Sequence, residues 1–508
     1  TGYDDIIYLN AGNDTAHGNN GNDTIYGGTG LDNLYGDGGN DILVGGTGDD
    51  YLEGGREEDT YIYNLGDGFD TINNYDYYNS GKDKILFGEG ISLSDLTFSS
   101  DNKDLLIYIN NDKSQGMRIL RHFEGGDYRL GKIQFADGSI LDFETTGVTL
   151  TQGDDNDVIT TLNQNDIVLA GGGNDSISTN YGDDIINAGA GNDNVDAGYG
   201  NDDITGGKGN DILNGGNGAD TYRYNLGDGF DIIYDYDSNS NNIDKIVFGE
   251  GITLADLTFR NENNNLRIIV KGDEGQGMLI NQFFNENYPS YYQIEQFEFA
   301  DGTIIDNKSN GFVFNQLSAD ETIRATEYND IIKANSGNDT IDSFNGNDII
   351  DAGSGDDYVE AGYGNDDITG GKGNDILNGS YGADTYRYNL GDGFDIIYDY
   401  DSNSNNIDKI VFGEGITLAD LTFRNENNNL RIIVKGDETQ GMLVNRFFDE
   451  NYPAYYQIEQ FEFADGTIID NKNRVHHFLV FALTVGFPMS TFFAPIIYCT
   501  FKHCHIGS

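Results

Sequence analysis

Cysteine is nearly absent from the 508 residues: Cys499 and Cys504, both in the C-terminal tail, are the only two. No disulfide framework supports the rest of the chain. Positive charge is scarce, with 28 Lys and Arg against 86 Asp and Glu and a net charge of −58. That balance excludes nucleic acid and anionic membranes as electrostatic partners. Histidine is as rare, and before the tail only His17 and His122 occur. No H-E-x-x-H, G-x-S-x-G or Cys/His nucleophile pair is present there, so no catalytic constellation is in view. Acidic pairs abound, but a regular spacing explains them, and a glycosidase dyad is not inferred. No cleavable leader is recognisable, and Thr1 falls within a repeat, so the chain reads as a fragment.

What the chain has is glycine, 70 residues of it, in stretches such as GGKGNDILN at 206–214. A phosphate-binding loop would need Lys followed by Ser or Thr at the mouth of a helix. Here Gly209 follows Lys208, then Asn210 and Asp211, and so much glycine disfavours a helix.

The stretch recurs every nine residues. With GGKGNDILN as positions 1 to 9, position 6 is Asp at twenty-two places in three arrays, from Asp5 to Asp59, Asp157 to Asp220 and Asp330 to Asp384. Position 8 is apolar, as in Ile25, Leu34, Ile177 and Val195, with Ala16 the one small residue. Position 4 is Gly inside the arrays, but Tyr3, Glu57, Asp155, Gln164 and Tyr328 replace it at their edges. Glycine permits positive φ and close backbone approach, so interior turns can expose carbonyls inward where edge turns mostly cannot.

A turn of about six residues and a three-residue strand make half a coil, and two nonapeptides a full one. Aspartates 18 apart then stack on one side at the strand spacing of about 4.8 Å, Asp193 between Asp175 and Asp211. Carboxylates that close repel unless a cation lies between them. Calcium, which takes about six to eight oxygens in flexible geometry, suits such a site better than magnesium or zinc. The interior aspartates singled out are Asp14, Asp23, Asp32, Asp41 and Asp50, then Asp175, Asp184, Asp193, Asp202, Asp211 and Asp220, and in the third array Asp339, Asp348, Asp357, Asp366, Asp375 and Asp384. They correspond to roughly 15–17 Ca2+ ions, which neutralise more than half of the acidic excess. Without them the chain has the charge and thin core of a disordered one, so order is expected to depend on calcium.

At these residues the sequence resembles the repeats-in-toxin (RTX) family of type I secreted bacterial proteins, whose nonapeptide forms a calcium-binding β-roll. The resemblance implies a parallel β-solenoid with calcium between coils. It also implies ligands from the position-6 carboxylate and from turn carbonyls at positions 1 and 3: Gly206 and Lys208 with Asp211, and likewise Gly27, Gly45, Gly370 and Lys372. It further implies secretion, folding outside the cell, a type I secretion apparatus as partner, and an effector N-terminal to the repeats. No Asp-Pro dipeptide of the self-cleaving subset is present.

A related segment follows each array. DTYIYNLGDGFDTI begins at Asp59 and DTYRYNLGDGFDII at Asp220 and Asp384, and all three segments run on to FADG at 135, 299 and 463. Residues 219–274 equal 383–438, so the duplicated unit is array plus segment. The expected layout is array 1–62, segment 63–150, array 151–223, segment 224–314, array 315–387, segment 388–474 and an atypical tail 475–508. Period-two stretches such as 105–109 and 296–299 indicate strands, making the chain all-β: three β-roll arrays, each with a β-rich capping segment. Phe283–Phe284 and Phe447–Phe448 are expected to plug open roll ends. Tyrosine-rich runs (Tyr75 to Tyr78, Tyr288 to Tyr292) either pack strands or contact sugar or receptor.

The tail changes composition abruptly. Phe478 to Thr500 is long enough to cross a bilayer, though Pro488 and Pro495 interrupt it. It reads as a foreign or out-of-frame extension, a membrane or export segment, or a metal site of Cys499, His503, Cys504 and His505. Membrane contact is expected only through an effector part or this tail. The sequence thus reads as a non-enzymatic calcium-binding region of a secreted toxin or exoprotein, the alternative being an adhesin-like module for a host receptor or glycan.

Overall fold

A computed structural model describes residues 2–76, 82–239, 241–285, 291–306, 311–315, 319–401, 403, 405–449 and 455–470. Tyr77, Tyr78, Tyr288 to Ser290 and the tail 475–508 lie outside them. The described chain is all-β, and its only helical elements are five three-residue 3-10 turns. Among the described residues no helix is long and apolar enough to cross a membrane.

The nonapeptide dictates its own strand. Position 8 is the apolar residue that the alternation of a strand turns inward, so Thr24–Thr29 and Asn33–Gly38 bury Ile25 and Leu34 completely and leave the residues on either side of them toward solvent. Strands stack in parallel at a register of 18. Ile7 pairs with Ile25, Ile25 with Leu43 and Leu43 with Tyr61 on one side, while Ala16, Leu34 and Leu52 align on the other, followed by Ile72 at a separation of 20. The second array repeats this with Val168, Ile186, Ile204 and Tyr222, and the third with Ile332, Ile350, Ile368 and Tyr386. Where coils are most regular the strand is six residues, not the expected three, because positions 1 to 3 also pair, as in Gly28 with Gly46.

The chain folds as two compact units. One holds residues 1–256, 269–281 and 287–304, and so the first two arrays; the other holds 257–268, 282–286 and 305 onward, with the third. Within the first unit, the segment after the first array continues the roll. Lys84–Phe87 stacks in parallel on Thr60–Tyr63, and Lys132–Gln134 on Lys84–Phe87, before antiparallel Ile140–Asp142 ends that sheet. On the other side Asp112–Ile119 stacks on Phe69–Asn73 and folds back through Asp104–Ile109 and Leu96–Asp101. Phe98 then pairs in parallel with Leu150, at the start of the second array. Between two arrays, this segment is a joint as much as a cap, and the second array does not begin at an open edge.

The expected plugs occupy a related place. In the second unit, Phe283 packs edge-on to Phe312 and Phe284 tilted against Phe314, at ring distances of 6.1 and 6.0 Å, so they seal the entry of the third array rather than an open exit. In the first module His122 and Phe123 stand there, and His122 is fully buried, accepts the Leu130 N–H at 3.2 Å and lies edge-on to Phe143. Burial and the nearby Arg129 push its pKa down to about 3, so it is a neutral core residue. The segments carry much of the aromatic core: Tyr63, Phe87, Tyr224, Phe248, Tyr388 and Phe412 are all buried.

Position 4 shows why glycine is required inside an array and dispensable at its start. A side chain on Gly191 (φ +141) would overlap the carbonyl oxygen of Gly173, one coil earlier, and Gly209 stands the same way over Gly191. The first coils have no such neighbour. The φ of +141 is a second reason, since Glu57, which replaces glycine on the last coil, stands instead at φ +76, and its carboxylate accepts the Gly39 N–H at 2.9 Å. Gly191→Ala should therefore destabilise the calcium-loaded chain by at least about 2 kcal/mol. Gly153→Ala, with nothing within 4 Å, should stay within about 0.5 kcal/mol. Thermal unfolding of both variants in saturating calcium checks the contrast.

Candidate metal centres

Each position-6 carboxylate has two different oxygens. Oδ1 accepts the backbone N–H of the aspartate one coil earlier: Asp175 donates to Asp193 and Asp193 to Asp211, both at 2.8 Å. The same bond joins Asp23 to Asp41 and Asp32 to Asp50, and in the third array Asp339 to Asp357 and Asp357 to Asp375. Coils are thus laced by side chains as well as by strand pairing.

Oδ2 has no such partner. It is buried without a hydrogen bond in sixteen of the seventeen aspartates named above, from Asp23 to Asp384. Asp14, on the first coil, is only half-buried and is the exception. Asp59 and Asp166, which the sequence reading left out as edge residues, have the same unpaired oxygen. A buried carboxylate oxygen without a donor is costly unless a proton or a cation meets it. Burial accordingly raises the pKa of Asp184 and Asp202 to about 7, and of Asp348 and Asp384 to about 8.

The space beside Oδ2 is kept open by glycine at position 1. A side chain on Gly27 would overlap both Asp32 Oδ2 and the carbonyl of Gly45 on the next coil, so carboxylate and carbonyl oxygens converge there. Gly45, Gly206 and Gly370 stand in the same way over the Oδ2 atoms of Asp50, Asp211 and Asp375. Lys208 and Lys372 offer only backbone: the Lys208 side chain is exposed, and the two carbonyls accept Gly191 N–H at 2.7 Å and Gly355 N–H at 2.8 Å. Each keeps a second lone pair.

The ladder also runs past the nonapeptides. Asp50 donates to Asp70, Asp211 to Asp231 and Asp375 to Asp395 at a separation of 20 residues, and Asp59 donates to Asp83, Asp220 to Asp244 and Asp384 to Asp408 at 24. The sequence reading missed these six. Their signal was present, since each precedes a buried strand residue by two, as Asp70 does Ile72 and Asp244 does Ile246, which is the spacing of positions 6 and 8. Only the period had changed.

Comparison with known proteins adds two sequence profiles. "RTX calcium-binding nonapeptide repeat" matches in overlapping copies over 1–72, 153–231 and 324–395. "Haemolysin-type calcium binding protein related domain" matches 104–145, 265–309 and 429–473. The chain belongs to the RTX calcium-binding repeat family. Among curated proteins it is similar to the "Iron-regulated protein FrpA" of Neisseria meningitidis serogroup C, 36% identical over 99 residues. That match takes in 19% of this chain and 9% of the relative. Among solved structures the extracellular lipase LipA of Serratia marcescens aligns at 12% identity with a TM-score of 0.16, over 79% of this chain and 64% of that one.

Two tests follow from the split role of the RTX carboxylates. Asp193→Asn removes an interior Oδ2, whereas Asp157 is partly exposed and is not among the buried unpaired carboxylates. In a calcium titration of the whole chain followed by circular dichroism, Asp193→Asn should raise the midpoint clearly, several-fold, and Asp157→Asn hardly at all. Equal shifts would mean that the edge turn binds as well as the interior one.

The second test uses pH. A carboxyl whose folded pKa lies above its unfolded value stabilises the fold while protonated, and that contribution is lost as pH rises through the folded value. With folded values of about 6 to 8 for Asp50, Asp184, Asp211 and Asp348, calcium-free order is favoured toward about pH 4 and gone above about pH 8. In chelator, β-structure should therefore increase when pH falls from about 8 to about 5. Ellipticity independent of pH would contradict this account.

Proposed function

We propose that the chain is the calcium-dependent carrier region of a secreted bacterial protein, unfolded in the low-calcium cytosol, exported by a type I apparatus and folded by calcium outside the cell. The carrying observation is the row of buried Oδ2 atoms with no donor. At neutral pH, a neighbourhood of that kind stays folded only around cations. The calcium ligands in this reading are those Oδ2 atoms with the carbonyls of positions 1 and 3, among them Gly27, Gly45, Gly206, Lys208, Gly370 and Lys372, for roughly 15–17 ions. The region has no enzymatic role of its own here, and the toxin or exoprotein activity belongs to the protein of which it is a part.

A second reading, an adhesin module for a host glycan or receptor, is favoured by one surface. A groove of about 350 Å³ in the second array is lined by Tyr181, Tyr199 and Tyr236 beside Asp196, Asn214 and Asn217. Tyr181 and Tyr199 stack at 4.8 Å and each is about half exposed, an aromatic platform next to polar groups.

Far-UV circular dichroism of the whole chain should show little order in chelator at pH 7.5 and a steep gain of β-structure on adding calcium, with magnesium unable to substitute. A chain fully folded in chelator would defeat the carrier reading. A glycan array probed in calcium decides the second: consistent silence removes it, and binding lost on Tyr199→Ala supports it.

A further inference from the structure

The last aspartate of the second array, Asp220, does not face another nonapeptide. Its Oδ1 accepts the Asp202 N–H at 2.8 Å, its Oδ2 is buried without a hydrogen bond, and its carboxylate groups with those of Asp235 and Asp244 from the following segment. One carboxylate oxygen from each of these three lies within 4.8 Å of the others, and all three residues are at most 3% exposed. Asp235 is the telling member, because both of its oxygens are buried and neither has a hydrogen bond. Asp244 is held by donation from Asp220 N to its Oδ1, at 2.8 Å, and its own N–H is donated to Glu295 at 2.9 Å. The third module repeats the arrangement with Asp384, Asp399 and Asp408, again with both oxygens of Asp399 buried and unpaired.

We propose that these two clusters are calcium sites of a second kind, closed by side-chain carboxylates at the exit of the array rather than by turn carbonyls between coils. The reading of the repeats as calcium-binding underlies the choice of ion. Three carboxylates at such separations, with a fourth beside them, repel strongly in a buried setting. The donors are oxygens throughout, with no nitrogen or sulfur, which selects a hard cation. The hydroxyl of Tyr222, which accepts the Gly215 N–H at 2.8 Å, crowds the same face of Gly215 as Asp220 Oδ2 and adds a neutral oxygen beside the group.

The first module supplies an internal comparison. Asn74 stands where Asp235 and Asp399 stand, and Gly131 where Glu295 and Glu459 do. The Asn74 amide donates to the carbonyl of Arg129 at 3.1 Å and also hydrogen-bonds Asp83, so an N–H does there what a cation does in the other two modules. Among the described residues no cluster of three metal-ligating side chains forms in that module. Among the described residues there are thus two such sites, not three.

Counting ions tests this. Equilibrium dialysis of the whole chain against radioactive calcium at saturation, with circular dichroism to confirm folding, should show one ion fewer for Asp235→Asn or Asp399→Asn and two fewer for both together. An unchanged count in a folded double variant overturns the proposal and leaves the repeat reading intact. A wild-type chain that takes up no calcium overturns both. If the double variant does not fold, Asn74→Asp decides: one additional ion supports the second kind of site, and no gain overturns it.

Discussion

A carboxylate shared between two coils is the interaction on which the rest of this chain depends. One oxygen of Asp193 fixes the backbone of Asp175, while the other is buried without a donor. Because the first bond repeats at every coil, a coil is ordered only if its neighbour is, which is the physical content of cooperative folding in a one-dimensional array. Because the second oxygen is unpaired, that cooperativity is tied to whatever neutralises it. The aliphatic stripe of one residue per nonapeptide is too thin to offset that on its own, and a net charge of −58 opposes compaction further.

Most of the fold was legible in the sequence because the repeat encodes both distances that matter. The separation of 18 between stacked aspartates gave the register found in the strands, and the alternation at position 8 gave the buried column of Ile25, Leu43 and Tyr61. The contrast between interior and edge glycines at position 4 was visible too, with positive φ and close backbone approach both behind it; what a sequence does not display is that the carbonyl of the preceding coil is the atom lying against the Cα. Asp166 was passed over because Gln164 looked disqualifying, although its Oδ1 accepts the Val148 N–H at 2.7 Å and its Oδ2 is buried without a partner like those of the interior aspartates.

What stayed hidden lay where the period breaks. Asp70, Asp83, Asp231 and Asp244 continue the ladder at separations of 20 and 24, and a search in steps of nine steps over them. The invariant is local: an acid two residues before a buried strand residue. Loop length between coils can grow while that pair is kept, since the strand sets the register and the aspartate ties it to the coil before.

The same logic explains how a parallel roll can end without exposing an edge. Each added coil offers a new row of unpaired N–H and C=O groups, so a repeat alone never terminates. In the first unit the segment first lengthens its coils and fills them with Tyr63, Phe87 and Phe135, a core no longer one residue wide. It then reverses direction, Ile140–Asp142 antiparallel to Lys132–Gln134 on one sheet and Asp104–Ile109 antiparallel to Asp112–Ile119 on the other. Reversal needs a hydrophobic core wider than one residue, and the aromatic residues supply it. The segment thereby gives each array a fixed boundary against which its coils can stack, while the aspartate ladder runs on into it.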